Sequence, residues 1–138
     1  MSAVKNSVPR FNSPACFNLS KEMVDTYSQN GVLVLENMFS DTECDALMGR
    51  AAKLVESYDP SQARTTFSTR NSTHYGDENF TTSGYRINFF LEEVASDDIQ
   101  LLNKDKVKYI SKIGHCLHDL DPVFDQFSSD SRLAAVTI

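Results

Sequence analysis

The sequence predicts an α+β fold in which helices predominate over a few short strands. Three stretches indicate this class: a capped amphipathic helix that begins after Ser40, and two apolar runs with strand composition, "VLVLE" at 32–36 and "YRINFFLEE" at 85–93. A chain of 138 residues is long enough for one domain. We expect residues 1–18 to form a flexible N-terminal arm and residues 19–138 to form the domain.

Composition and charge argue against several classes of protein. The hydrophobic fraction of 41% and the charged fraction of 23% are ordinary for a globular protein. The net charge of −6 argues against nucleic acid or an anionic membrane as the main partner. No apolar run approaches the roughly 20 residues that span a bilayer, and residues 1–16 carry no secretory signal pattern. The scattered thiols of Cys16, Cys44 and Cys116 are typical of a reducing compartment, so we expect a cytoplasmic location.

Local capping signals place the first two helices. Ser20 predicts the start of a short helix and Gly31 predicts its end, after which "VLVLE" follows as a buried strand. Ser40 and Glu43 form a predicted capping box at the start of the second helix. The apolar residues behind this box recur at helical spacing and predict one buried face: Cys44, Leu47, Met48, Ala51, Leu54, Val55 and Tyr58.

Residues 60–84 form a long polar stretch rich in Ser and Thr, with aromatic side chains at Phe67, Tyr75 and Phe80. A loop of this length inside a compact domain is normally functional or disordered. The interleaved aromatic residues favour a loop that docks on the domain. His74 lies within this loop, and its spacing assigns it no partner.

The segment from Lys106 to about His118 has apolar residues at helical spacing and predicts a helix. Asp121 and Pro122 then supply an N-cap and a first-turn proline for another helix. Lysines recur at i, i+4 and i+8 and predict one basic stripe: Lys104, Lys108 and Lys112. Such a stripe is most often a solvated face. A stripe that points into a cleft would instead hold a small dianion, because an ammonium binds a carboxylate as a point charge.

The stretch "HCLHDLD" at 115–121 raises the alternative of a metal site. On a helix, His115, His118 and Asp119 would share one face, and two imidazoles with a carboxylate are the ligands of a non-haem iron site. The same spacing also arises by accident. The simpler interpretation is a pair of exposed or hydrogen-bonded histidines near a helix end. The sequence contains no Gly-rich phosphate loop, no G-x-S-x-G and no H-E-x-x-H.

Several segments together resemble the phytanoyl-CoA dioxygenase family. The opening "YSQNGVLVLENMFSDTECDAL" is similar to the start of family members, and "TTFST", "YRINFFLEE" and "KIGHCLHDLDPVF" resemble one branch of the family. The likeness runs in order from about Leu19 to the C-terminus. The last of these segments is long and therefore the most specific.

The resemblance implies an Fe(II)- and 2-oxoglutarate-dependent dioxygenase on a double-stranded β-helix (a jelly roll), which hydroxylates a small-molecule or acyl substrate. In this family iron is held by a His-x-Asp pair and a distant histidine. The lysine before Ile-Gly-His binds a 2-oxoglutarate carboxylate in this branch, and it matches Lys112. The resemblance therefore implies that Lys112 is a cofactor-binding residue.

The sequence departs from the family pattern at the iron site. No His-x-Asp occurs in 1–138. Eight strands with their turns need on the order of 80–100 residues, whereas the sequence predicts two or three strands. We therefore expect the N-terminal portion of the jelly roll, with an incomplete barrel, no metal ligands and no catalytic residues, and with "HCLHDLD" on a helix that flanks the cleft. We expect the iron ligands to follow the point at which the sequence ends.

Two functional hypotheses follow. In the first, the chain is the N-terminal portion of such a dioxygenase and has no turnover by itself. In the second, it is a shortened, non-catalytic product that acts as a binding or regulatory partner. Unpaired strand edges favour association with another chain, including a second copy of the same one.

Overall fold

The structure is a computed structural model that describes residues 8–14, 16–59, 61, 65–66, 78–96 and 98–137. The described residues fall into two compact units, the first within Met1–Cys44 and Ser129–Ile138 and the second within Asp45–Ser128. The strands are β1 (Arg10–Asn12), β2 (Val34–Glu36), β3 (Thr65–Thr66), β4 (Ile87–Leu91) and β5 (Ile110–His115). The helices are α1 (Lys21–Asn30), α2 (Asp41–Ser57), α3 (Glu78–Thr81), α4 (Glu93–Ser96), α5 (Ile99–Lys104), α6 (Lys106–Tyr109), α7 (Leu117–Leu120), α8 (Pro122–Ser128) and α9 (Ser131–Val136), and a 3-10 turn spans Ser83–Tyr85.

The first unit contains α1 and a parallel pair of strands, β1 and β2. The side chain of Ser20 caps the start of α1, and Gly31 ends the helix in the left-handed region with φ +70°. These caps and the strand after them confirm the prediction for this part of the sequence. The structure also places a strand at Arg10–Asn12, inside the segment expected to be a flexible arm. Parallel pairing with β2 gives this stretch its strand conformation, although Pro9 and Pro14 flank it.

The helix predicted after Ser40 is confirmed as α2. Its capping box forms as predicted: the backbone N–H of Ser40 donates to the Glu43 carboxylate over 2.7 Å, and the backbone N–H of Glu43 donates to the Ser40 hydroxyl over 3.3 Å. The predicted apolar face is only partly buried. Leu54 and Tyr58 are buried, whereas Met48 is 63% exposed.

The core of the second unit forms where the end of α2 meets β4, α4 and α5. Its buried members are Tyr58, Leu91, Ala95 and Leu102, with Phe89, Tyr109 and Ile110 packed against them. The rings of Tyr58 and Phe89 lie 4.8 Å apart between centroids. The ammonium of Lys106 donates to the carbonyl of Tyr58 over 2.5 Å, which satisfies a backbone acceptor just beyond the end of α2.

The sheet of the second unit has the strand order β3-β4-β5. β3 runs parallel to β4, and β4 runs antiparallel to β5, with Phe90 opposite Lys112 and Ile87 opposite His115. The described residues thus combine helices with small sheets, and these strands close no barrel. None of the helices in the described part of the chain is long and apolar enough to cross a membrane.

The helix predicted from Lys106 to about His118 is wrong for most of its length. α6 ends at Tyr109, and Ile110–His115 is the strand β5. The β-branched residues Ile110 and Ile113 suit a strand, and β4 offers this segment an antiparallel ladder with one register shift between Phe90 and Leu91. The spacing of apolar residues in Ile110–His115 fits a helix, but pairing with β4 outweighs this local preference and makes the segment a strand.

Candidate functional site

Polar and aromatic side chains converge at the end of β5 in a group that we call the imidazole cluster. Its members are His115 and Lys112 of β5, Phe90 of β4, Phe80 of α3 and Ser83 of the 3-10 turn. The antiparallel register sets Lys112 opposite Phe90. The backbone N–H of His115 donates to the carbonyl of Arg86 over 3.2 Å and so fastens the end of β5 next to the turn.

The hydrogen bonds of the imidazole cluster all run in one direction. Lys112 Nζ lies 3.2 Å from His115 Nε2, and because an ammonium can only donate, Nε2 must accept. The proton of the imidazole is therefore on Nδ1, which lies 2.8 Å from Ser83 Oγ. Ser83 in turn donates to the carbonyl of Phe80, 2.6 Å away. The donor and acceptor geometry therefore assigns the Nδ1–H tautomer to His115.

Two phenylalanine rings contact the imidazole of His115. The centroids of Phe80 and Phe90 lie 5.5 and 5.2 Å from that of His115. Phe90 is fully buried, and the half-buried Lys112 places its Nζ 5.2 Å from the centroid of this ring, within cation–π range. The apolar rings lower the local dielectric, which strengthens the hydrogen bonds between the polar members.

The basic stripe predicted from three lysines is wrong. Lys104 ends α5, Lys108 lies on α6 with its Nζ 5.3 Å from the ring centroid of Tyr109, and Lys112 lies on β5. The three side chains therefore share no helix face. Lys104 and Lys108 are exposed, and Lys112 is half-buried.

The helical metal face considered for "HCLHDLD" does not form. His115 ends β5 and binds Ser83 and Lys112, whereas His118 and Asp119 are exposed on α7 with 3.3 Å between Nε2 and the carboxylate. Across the ranges that the structure describes, no group of three His, Cys, Asp or Glu side chains could hold a metal ion. His74 lies outside these ranges.

Cys116 follows the imidazole cluster directly and is buried. Its Sγ–H donates to the carboxylate of Asp119 over 3.2 Å, and this hydrogen bond together with burial raises the pKa of the Cys116 thiol. A thiol held in its protonated form is a poor nucleophile. The three cysteines of the chain are free.

Ser83 and Phe80 lie in the Ser- and Thr-rich stretch that precedes β4. Ser83 carries no sequence signal of its own, because it lies 32 residues from His115 and is surrounded by similar residues. Phe80 belongs to the predicted docked loop, and its contact with Phe90, with 5.8 Å between centroids, confirms the docking at this point. Phe67 and Tyr75 lie outside the described residues.

Residues of α2 and α8 form a separate groove of about 580 Å³. Its lining residues are Asp45, Ala46, Gly49, Arg50, Lys53, Pro122 and Val123. Arg50 Nε donates to the fully buried carboxylate of Asp121 over 2.6 Å. The same carboxylate accepts the backbone N–H groups of Val123 and Phe124, so Asp121 is the predicted N-cap of α8. Burial alone raises the pKa of Asp121, but the hydrogen bonds from Arg50 and the backbone outweigh it and leave this pKa lowered.

Comparison with known proteins identifies relatives that cover most of this chain. It is 34% identical over 119 residues to "Phytanoyl-CoA dioxygenase" of Arabidopsis thaliana, and 36% identical over 123 residues to "Phytanoyl-CoA dioxygenase 1" of Oryza sativa subsp. japonica. It is also 36% identical over 120 residues to "Phytanoyl-CoA dioxygenase domain-containing protein 1" of Danio rerio. These matches cover 86%, 89% and 83% of this chain, and 42%, 43% and 41% of the three relatives. No protein-family model matches the chain.

By these matches the chain is similar in sequence to proteins that are named as dioxygenases. Its homologues are phytanoyl-CoA dioxygenases and phytanoyl-CoA dioxygenase domain-containing protein 1, and it corresponds to the N-terminal part of these proteins. The resemblance seen in the sequence is thereby confirmed. The chain spans about two-fifths of the length of the curated relatives it matches.

Proposed function

We propose that this chain is the N-terminal portion of an Fe(II)- and 2-oxoglutarate-dependent dioxygenase that hydroxylates a small-molecule or acyl substrate. In this proposal Lys112 binds a carboxylate of 2-oxoglutarate, and the 138 residues have no turnover by themselves. The observation that carries the proposal is the homology to dioxygenases over more than four-fifths of the chain. We also propose a cytoplasmic location, which the three free cysteines support because thiols persist in reducing compartments.

The ammonium of Lys112 supports the cofactor contact. 2-Oxoglutarate is a small dianion, and an ammonium is a strong point-charge partner for a carboxylate. Lys112 projects from a strand that is hydrogen-bonded to β4, so its backbone has less freedom than that of a loop residue. Its Nζ is held by His115 beside the ring of Phe90.

In this proposal the iron of this class is not held by the described residues. The sequence contains no His-x-Asp, and the described ranges hold no set of three ligand side chains within reach of one another. We therefore assign no oxidation step to these 138 residues, and we assign the oxidation to the full-length protein. Within the described ranges, the contribution that fits the chemistry of the class is the binding of a carboxylate at Lys112.

A titration with 2-oxoglutarate, followed by calorimetry or NMR, tests the contact at Lys112. We expect Lys112→Ala to weaken binding by about tenfold or more, because a hydrogen bond to a charged group contributes about 1.5–3 kcal/mol. Lys104→Ala removes an exposed lysine from α5 and is the matched control, with the affinity of the parent chain. Equal affinities for Lys112→Ala and the parent would contradict the contact.

A decarboxylation assay tests the absence of turnover. The purified chain is incubated with Fe(II), ascorbate and labelled 2-oxoglutarate, and released CO₂ is counted. We expect no release above a blank without protein, because the sequence has no His-x-Asp and the described residues assemble no group of three metal ligands. Clear release of labelled CO₂ that requires the chain would contradict this part of the proposal.

A second candidate function is that of a non-catalytic partner that associates with another chain or with a second copy. Large apolar side chains of the second unit favour it, since Met48 is 63%, Tyr85 92% and Val107 74% exposed. In the described part of the chain β5 also lies at an edge of its sheet, and such edges can recruit another strand. Size-exclusion chromatography with light scattering separates the candidates. A dimer or larger species supports association, and a monomer at every concentration contradicts self-association.

A further inference from the structure

We infer that His115 and Ser83 are positioning residues, which fix the ammonium of Lys112 in the orientation that a carboxylate ligand meets. The inference deepens the proposed function and rests on it for the identity of the ligand. The hydrogen bonds that carry it belong to the chain itself and are measurable without any ligand.

The hydroxyl of Ser83 selects the tautomer of His115. Its single proton is used on the carbonyl of Phe80, 2.6 Å away, so its oxygen faces His115 as an acceptor. The Nδ1–H tautomer satisfies this acceptor and leaves Nε2 with a lone pair. That lone pair lies 3.2 Å from Lys112 Nζ. In the other tautomer the Nε2–H of His115 would face the ammonium of Lys112, and two donors without an acceptor make no hydrogen bond.

The ring of His115 is fixed in orientation as well as in tautomer. Phe80 meets it edge-on, with an angle of 86° between the planes, and Phe90 lies at 56°. Ser83 is fully buried, so its hydroxyl does not exchange its partners for bulk water. A ring held by two phenylalanines and a buried hydroxyl presents Nε2 in one direction. The ammonium that binds Nε2 is oriented with it.

Gly114 lets the stem of Lys112 lie against the strand. A Cβ at position 114 would come within 3.1 Å of Lys112 Cε and 3.9 Å of Nζ, so the lysine passes directly over the glycine. A free lysine side chain carries about 2 kcal/mol of rotamer entropy. Contacts at both the stem and the tip remove part of this freedom before any ligand arrives. Pre-organisation of this kind raises affinity without adding a contact to the ligand.

NMR of the ring nitrogens in the ¹⁵N-labelled 138-residue chain measures the tautomer directly. We expect His115 to show a protonated Nδ1 and an unprotonated, hydrogen-bonded Nε2. His118, which is exposed on α7, is the internal reference. Two averaged tautomers at His115, or a proton on Nε2, would overturn the inference.

Substitutions then separate positioning from simple packing. Ser83→Ala removes the acceptor that selects the tautomer, so we expect the Nε2–H form of His115 to appear and 2-oxoglutarate binding to fall about threefold to tenfold. His115→Leu should give a similar loss. His115→Gln keeps one acceptor and one donor on its amide and should restore affinity towards that of the parent. An equal loss in the Leu and Gln variants indicates packing alone and contradicts the positioning role.

A variant that leaves the core untouched covers the case in which His115→Leu does not fold. Lys112→Met keeps an unbranched apolar stem but removes the donor to Nε2. We expect the Nε2 resonance of His115 to move away from its hydrogen-bonded position while the backbone amide spectrum is kept. An unchanged Nε2 resonance shows that the two side chains do not interact in solution, and it overturns the inference.

Failure of the proposed function gives a different pattern of results. If the parent chain does not bind 2-oxoglutarate, or if Lys112→Ala binds as well as the parent, the cofactor assignment falls. The tautomer of His115 and its response to Ser83→Ala and Lys112→Met then decide the positioning role by themselves. If the ligand binds through Lys112 but Ser83→Ala and His115→Leu leave its affinity unchanged, the inference falls and the proposed function stands.

Discussion

The carboxylate pairs of Arg50 and Arg132, which we call the arginine clusters, differ in construction from the imidazole cluster around Lys112. Arg50 binds the buried carboxylate of Asp121, and Arg132 binds two further carboxylates. The contacts described for Lys112 are instead with the imidazole of His115 and with an aromatic ring. The two arginines meet fully charged partners in geometries that favour a guanidinium, whereas the lysine meets a lone pair.

The carboxylates that bind Arg50 and Arg132 all lie at helix starts. Asp121 caps α8, Asp130 caps α9, and Glu43 completes the capping box of α2. Their ion pairs therefore stabilise the backbone at points where N–H groups lack partners within the helix. His115, a described partner of Lys112, caps no helix. Charge pairing in the arginine clusters thus stabilises helix starts. The imidazole cluster is suited instead to hold the ammonium of Lys112 in one orientation.

The largest expected effect is on stability at Asp121. Asp121→Ala removes the cap of α8 and leaves the guanidinium of Arg50 without its buried partner, so we expect a loss of about 2 kcal/mol in the free energy of unfolding. Asp121→Asn keeps a capping side chain and should lose about half as much. Urea denaturation measures both. Asp119→Ala, in the exposed neighbour, is the control, and a loss as large as that of Asp121→Ala would erase the distinction between the two sites.

A second, smaller effect is the acid sensitivity of the Arg132 cluster. Hydrogen bonds from Arg132, and after them hydrogen bonds from Ser40, lower the pKa of Glu43 from 4.5 to about 2. Hydrogen bonds from Arg132 lower the pKa of Asp130 from 3.8 to about 2. Both carboxylates bind protons more readily in the unfolded chain, so their contribution is complete above about pH 4.5 and is lost as the pH falls towards 2. We expect Arg132→Leu to be less stable than the parent at neutral pH, with a difference that shrinks over this range.

Urea denaturation at a series of pH values checks the sign of this prediction. The part of the difference that does not depend on pH reports the other contacts of Arg132, with the carbonyl of Met38 and the ring of Phe39. A difference between parent and variant that stays constant from neutral pH down to about pH 2 would show that the carboxylates contribute nothing through Arg132.

The smallest expected effect on stability is at Gly114. A substitution there should change the ring-nitrogen NMR spectrum of His115 more than it changes the free energy of unfolding. Gly114→Ala forces the flexible stem of Lys112 to move by a few tenths of an ångström, so we expect the free energy of unfolding to change by less than about 1 kcal/mol. The hydrogen bond to Nε2 of His115 should nevertheless weaken, which the ring-nitrogen spectrum detects. Gly49→Ala, with nothing within 4 Å of the added Cβ, is the control and should leave this spectrum unchanged.

Local signals in the sequence predict the starts of three helices, α1, α2 and α8. Ser20, Ser40 and Asp121 each cap a helix as predicted, because a cap depends on residues only two or three positions away. The strand at β4 follows equally from its own apolar and aromatic composition. These features are encoded within a few residues of where they appear.

The imidazole cluster could not be predicted in the same way. The apolar spacing around Ile110 and Ile113 fits a helix, and only pairing with β4 turns the segment into a strand. The family resemblance singles out Lys112 as a prediction, whereas helical spacing offers His115 only a shared face with His118 and Asp119. The contact between His115 and Ser83 joins two elements that local periodicity cannot bring together.

The one-way order of donors in the imidazole cluster limits what it can do with a proton. Every N–H or O–H points the same way from Lys112 through His115 and Ser83 to the carbonyl of Phe80. This series of hydrogen bonds ends on a carbonyl oxygen, which has no proton to donate. To shuttle a proton back towards a ligand, the tautomer and the hydroxyl would both have to reverse in concert. The arrangement is therefore suited to orient a charge and unsuited to relay a proton. The dipoles of its hydrogen-bonding groups align with the ammonium of Lys112, where the series of donors begins.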